Sequence, residues 1–110
     1  MKPRALAEAY IDAFCAGDIK RLATLLAPDL RFAGPLRQFD SRAAYLESLQ
    51  DDPPVTCAYR VMSAVEDDDA VAVFWEYRKP GAPLVIAQLF KTRDSAIHDI
   101  VIVFDSASLT

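Results

Sequence analysis

The sequence predicts an α+β fold in which three N-terminal helices pack on the concave face of a curved, mainly antiparallel sheet. Two observations carry this: the first half holds three segments with apolar residues at helical spacing, and the second holds four strand-like runs joined by short turns. A third sets the character of the sheet. The runs Val71–Trp75, Leu84–Phe90 and Ile100–Phe104 are apolar at nearly every position, whereas a strand with one wet face should alternate. Both faces are therefore expected to be covered, and one of them needs an enclosed pocket, a partner subunit, or both.

The elements follow in order. Leu6, Tyr10 and Phe14 share one face, with Ile11 and Cys15 beside them, and Pro3 stands at a natural helix start, which predicts a helix over 3–16. Gly17 supplies the stop. Asp18 then caps a second helix with Ile19, Leu22, Leu25 and Leu26 as its stripe, and Pro28 is expected to end it. Leu30–Ala33 reads as a short strand leading into Gly34-Pro35. Asp40 or Ser41 caps a third helix carrying Ala44, Tyr45 and Leu49, which fades at Asp51-Asp-Pro-Pro54. A meander is expected over 55–66, 70–79, 84–92 and 97–104, with turns at 67–69, 80–83 and 93–95.

A chain of 110 residues with 53% hydrophobic and 25% charged content fits one soluble domain spanning 1–110. A net charge of −4, with the 12 basic residues scattered, argues against a nucleic-acid partner. The N-terminus lacks an uninterrupted apolar stretch and no later segment reaches membrane-spanning length, so no membrane partner and a cytoplasmic location are expected. Cys15 and Cys57 are well separated and without a CxxC motif, hence expected to be free. One histidine and two cysteines fall short of a metal shell, three glycines make no phosphate loop, and no cofactor is expected.

Two stretches carry a family resemblance. Ala7-Glu-Ala-Tyr-Ile-Asp-Ala-Phe-Cys-Ala-Gly-Asp18 followed by Leu25-Leu-Ala-Pro-Asp-Leu-Arg-Phe32 resembles the opening of the nuclear transport factor 2-like (NTF2-like) superfamily, particularly its SnoaL-like branch. Ile97-His-Asp-Ile-Val-Ile-Val-Phe-Asp105 is similar to that branch's last strand. The likeness covers almost the whole chain and implies a cone-shaped domain with a ligand cavity between helices and concave sheet; its motifs specify fold better than activity.

By that similarity, Val71, Val73, Trp75, Tyr77, Ile86, Gln88, Phe90, His98, Ile100, Ile102 and Phe104 are expected to face the cavity, since strand side chains alternate. Ala72, Phe74, Val85, Ala87, Leu89, Val101 and Val103 then face outward. So large an apolar patch suits a homodimer built on the convex sheet face, the alternative being cover by a loop or the C-terminal tail.

The candidate chemistry is a short list. Gln88, a lone amide in an apolar strand, needs hydrogen bonds from a ligand or a neighbour if it is buried. His98 is the only histidine and a conceivable proton carrier, though beside a turn it is also a plain half-exposed strand-end residue. Tyr10 either points its hydroxyl inward or is an ordinary core residue of the first helix. Phe14, Phe32, Val73, Trp75, Phe90 and Ile102 would supply apolar contact.

The resemblance also implies where acids would stand. The base of the ketosteroid-isomerase-like pattern falls at Gly34, and glycine transfers no proton; ketosteroid isomerase is a known case of carboxyl groups tuned by an apolar site. A second acidic position matches Gln88, which donates without ionising. The His-x-Asp pair of the cyclase branch would fall at Ile100 and Ile102, and the Arg-x-Asp arrangement of limonene epoxide hydrolases has no counterpart around Gln88. Capping and solvated turns account for most other carboxylates, with Asp105 a candidate for the cavity mouth. Two classes stay open: a domain binding a small hydrophobic molecule without the acid-base pair, or a divergent isomerase, cyclase or dehydratase acting on a hydrophobic carbonyl compound, with His98 as base and Tyr10 and Gln88 polarising the carbonyl. A purely structural dimerising module, its cavity filled by its own side chains, is the third reading.

Overall fold

The computed structural model describes residues 1–109. Helix α1 runs Pro3–Ala16. It ends at Gly17, whose left-handed φ of 69° lets the Gly17 and Asp18 N–H groups bond back to the Phe14 and Ala13 carbonyls. Asp18 then caps α2 (Ile19–Leu25) by accepting from the Arg21 N–H.

The expectation that Pro28 terminates this helix is corrected. Leu26 is already extended, and strand β1 (Leu26–Ala33) runs through the proline. β1 pairs with the last strand in parallel, Leu26 opposite Ile97 and Arg31 opposite Asp99, and Pro28 occupies the irregular stretch between those pairs, where its missing N–H breaks no ladder bond.

A two-residue strand, β2 (Gln38–Phe39), pairs back on β1 and has no expectation in the sequence. Ser41, of the two candidate caps, accepts from the Ala44 N–H and starts α3 (Arg42–Asp51). Strands β3 (Tyr59–Glu66), β4 (Ala70–Tyr77), β5 (Leu84–Arg93) and β6 (Ala96–Val103) complete the sheet. β3 starts four residues later than expected. After Pro53-Pro54 the chain instead lies against neighbours, the Cys57 N–H donating to the Cys15 carbonyl and the Tyr77 hydroxyl to the Val55 carbonyl. A short 3₁₀ turn spans Ser106–Leu109.

The strand order is β2-β1-β6-β5-β4-β3, antiparallel except for β1 against β6. The fold is thus α+β: N-terminal helices packed against a curved, unclosed six-stranded sheet. Leu6, Ala7, Tyr10 and Ile11 of α1 are buried together with Val71, Val73, Trp75, Phe90 and Ile100 of the sheet. No helix is long and apolar enough to cross a membrane among the described residues. Cys15 is buried and Cys57 half-buried, both with free thiols.

The alternation holds along β4 and most of β5. Val71, Val73, Trp75 and Tyr77 are buried, as are Ile86, Gln88 and Phe90, while Phe74 is 50% exposed and Val85 53%. Along β6 it breaks. Asp99 pairs with Lys91 but Ile97 pairs with Thr92, so His98 is an extra, bulged residue between them. Ile97 and Ile100 are both fully buried and His98 is only half-buried.

Candidate functional site

Four side chains from four elements meet over the middle of the sheet. Trp75 on β4 donates its indole Nε1–H to Oε1 of Gln88 on β5 at 3.0 Å, both residues being buried. The Gln88 side chain also acts on the Tyr10 hydroxyl from α1, opposing the effect of burial on it. Tyr10 in turn shares a buried, short hydrogen bond with the Tyr45 hydroxyl from α3.

Each tyrosine ring is held by aromatic neighbours. Tyr45 stacks on Phe32 at 4.8 Å and meets the edge of Phe39 at 5.6 Å, so the short β2 strand serves to place Phe39 against it. Tyr10 lies edge-on to Phe90 at 5.3 Å and stacks on Phe14 at 6.2 Å.

Trp75 has a donor and no acceptor, so the Gln88 oxygen must face the indole. One of the two phenol protons closes the Tyr10–Tyr45 bond. The hydrogen bonds that these four side chains make leave the second phenol proton unassigned. It is available to an oxygen placed beside them.

Such a place exists. A pocket of about 370 Å³ lies between the helices and the concave sheet, with Tyr10, Tyr45, Trp75 and Gln88 on its wall. That volume falls within the range usual for small-molecule sites. Phe14, Phe32, Gly34 and Ile102 line it as well. Val73 and Phe90 do not: both are fully buried beneath it, Val73 opposite Gln88 and Phe90 opposite Ile100. The sequence reading missed the part played by Tyr45 and Phe39, while Tyr77, expected to face the cavity, lines the pocket. Tyr45 sits on an amphipathic stripe where any aromatic would satisfy the pattern, and only its pairing with Tyr10 marks it.

His98 is a correction. Its bulge turns it out of the cavity-facing set, and it does not line the pocket. The grouping of His98 with Tyr10 and Gln88 around one carbonyl therefore does not form.

At the position where the isomerase-like pattern would carry its base, Gly34 is closely packed. A Cβ built there would lie 2.8 Å from Cγ2 of Ile102, so the isoleucine occupies the space that a side chain would need. The one carboxylate on the pocket wall is Asp52, at the outer end of α3. No group of three His, Cys, Asp or Glu that could hold a metal ion comes together among the described residues. A separate depression at Lys2, Pro3 and Glu66–Asp69 is lined mainly by charged residues.

Burial governs the electrostatics. It pushes the Tyr10 phenol well above its ordinary range, against the opposing effects of Tyr45 and Gln88. Tyr45 is raised by burial and further by Tyr10, and Tyr77 by burial and by Cys57. The Cys15 thiol, desolvated near Cys57 and Asp12, is pushed up to about 12. The pocket thus offers neutral donors throughout the physiological range.

The family model of the SnoaL-like domain matches residues 7–100. No curated protein matches the sequence. Among solved structures the chain is similar to an NTF2-like protein of unknown function from Cytophaga hutchinsonii, at 17% identity and a TM-score of 0.84 over 99% of this chain and 95% of that one. It is also similar to a candidate ketosteroid isomerase from Kribbella flavida, at 25% identity and a TM-score of 0.82 over 94% of this chain and 77% of that one. An LEH-like epoxide hydrolase from M. tuberculosis aligns at 16% identity and a TM-score of 0.78 over 94% and 83% of the two chains.

Proposed function

The chain belongs to the SnoaL-like domain family of NTF2-like proteins, and on that premise we propose that it binds a small hydrophobic molecule carrying an oxygen acceptor. The observation that supports this most is the second phenol proton of the Tyr10–Tyr45 pair, left unassigned beside Trp75 and Gln88 on a pocket wall that is largely aromatic and aliphatic. Phe14, Phe32, Trp75 and Ile102 supply dispersion and hydrophobic contact, and the tyrosine pair orients the ligand by its oxygen. The donors are fixed before the ligand arrives, so little ordering is required on binding. The protein acts in the cytoplasm as a homodimer joined through the convex sheet face.

A thermal-shift screen of steroids, polyketide-like aromatics and short fatty acids tests the reading. A ligand at a hundred times its Kd raises stability by about 2.7 kcal/mol, which is well within detection. Tyr45→Phe and Tyr10→Phe should each weaken the best binder about tenfold, as expected for loss of a buried hydrogen bond to a ligand. If no compound stabilises the protein, or both variants bind as well as the parent, the reading fails.

An isomerase-type enzyme acting on a hydrophobic carbonyl compound is the second reading, favoured by the likeness to the candidate ketosteroid isomerase. The same donors would polarise the carbonyl. Against it stands Gly34, packed on Ile102 where that pattern has its base. Isomerisation of a β,γ-unsaturated ketosteroid by the purified protein, above the buffer rate, would decide for it.

A further inference from the structure

We infer that the ligand of this pocket carries an anionic end, a carboxylate, held at the mouth by Lys79 and Arg37 while its apolar body lies inside. The inference rests on the binding role proposed above and names the class of compound that role serves.

The mouth is built from three segments: the β1–β2 loop with Arg37, the end of α3 with Ser48 and Asp52, and the β4–β5 turn with Lys79. Lys79 is half-buried against the pocket, and its ammonium makes no hydrogen bond or ion pair with the described residues. Arg37 donates one N–H to the Ser48 hydroxyl at 3.0 Å, a neutral acceptor, and has the rest of its fork unassigned.

Five of the seven other arginines are matched to acids, Arg4 to Glu8, Arg21 to Asp12, Arg60 and Arg78 to Glu76, and Arg93 to Asp29, whereas Arg42 donates to the Leu26 carbonyl and Arg31 forms no ion pair among the described residues. At the mouth the single acid, Asp52, is exposed and forms an ion pair with neither cation. Two cations against one acid leave a positive rim on a chain whose net charge is −4. A half-buried, unmatched ammonium beside an apolar opening is the complement of a carboxylate whose hydrocarbon body enters that opening. The neutral donors inside cannot serve a carboxylate better than this rim. They suit an uncharged oxygen, so the two ends of the pocket select two different groups on one molecule.

Calorimetric titration with two acids and their methyl esters tests this: ketoprofen, an aryl ketone bearing a carboxylate, and decanoic acid. Each acid should bind about tenfold more tightly than its ester, the margin expected of a charge-assisted hydrogen bond over a neutral one. The margin should shrink as sodium chloride is added, because the rim is accessible to screening ions. Lys79→Gln and Arg37→Gln should bring the acids' Kd toward those of the esters. Equal binding of acid and ester, or an advantage that survives both substitutions, overturns the inference while the pocket reading stands. Binding of no compound to the folded protein overturns the pocket reading and this inference with it.

Discussion

Gln88 is buried to 3% exposure in a strand that is otherwise apolar where it faces the core, and its carbonyl satisfies the only indole in the chain. Gln88→Leu would leave the Trp75 N–H without its acceptor, so it should cost about 1–3 kcal/mol, read as a shift in the denaturation midpoint. At Gly34 the limit is steric. Gly34→Ala puts a methyl 2.8 Å from Ile102 Cγ2 and should destabilise by about 1–3 kcal/mol, as overpacking does. Ile102→Ala should absorb most of that penalty in a double-mutant cycle, whereas additive effects would show that the two do not touch. The buried phenols set a pH limit. Their values are raised in the folded state above the 10.0 of an exposed tyrosine, so the folded protein holds protons that the unfolded chain gives up. Stability from these groups is fully present below about pH 10 and falls as pH rises through the raised values; a melting temperature that already declines between pH 7 and 8 would contradict this. The amide at position 88 was legible in the sequence because a polar residue in an apolar run must be accounted for. Tyr45 was not, since an aromatic on a helix stripe is satisfied by packing alone.

Among the elements, those with a local cause were legible: α1 from its spacing and Gly17, α3 from Ser41, β4 and β5 from continuous apolar runs and short turns. Those fixed by pairing were not. β2 is two residues long and exists because Phe39 meets Phe32, and the passage of β1 through Pro28 depends on its parallel partner, far away in sequence. The bulge at His98 is the costliest omission. A one-residue register change reverses every side chain beyond it, so an alternation carried along β6 from its outer end puts the histidine on the wrong face. The tight turn beside it, with Asp94 and Ser95 both at positive φ, fixes where the hairpin begins and leaves the slip to be taken up within the strands. His98→Ala should change ligand affinity less than twofold and stability by no more than about 0.5 kcal/mol, as for other substitutions outside the core. A loss of binding in that variant would return the histidine to the site.

At the scale of the molecule, the doubly apolar strands divide into a concave face under the helices and a convex face of apolar rows. Val65, Ala72, Leu89 and Val101 lie across neighbouring strands in one row, and Phe74, Ala87 and Val103 in the next. Rows bearing Arg31, Asp99 and Lys91 on one side and Arg60 and Glu76 on the other give this patch a charged rim, the arrangement of a protein interface. Sedimentation at micromolar concentration should therefore show twice the 12.2 kDa of one chain, and Phe74→Asp should reduce it to a single chain without unfolding it. A parent protein that sediments as one chain would remove the dimer and leave the pocket untouched. The pocket itself has a built-in reporter, since Trp75 is the only tryptophan and its indole N–H sits on the wall, bonded to Gln88. Titrating ¹⁵N-labelled protein with the best compound of the thermal-shift screen should move the indole resonance saturably, at the same Kd as the stabilisation, and Tyr45→Phe should shift that titration to higher concentration. An indole resonance that stays fixed while the compound binds would show that the ligand lies elsewhere and that the pocket under the helices is not the site.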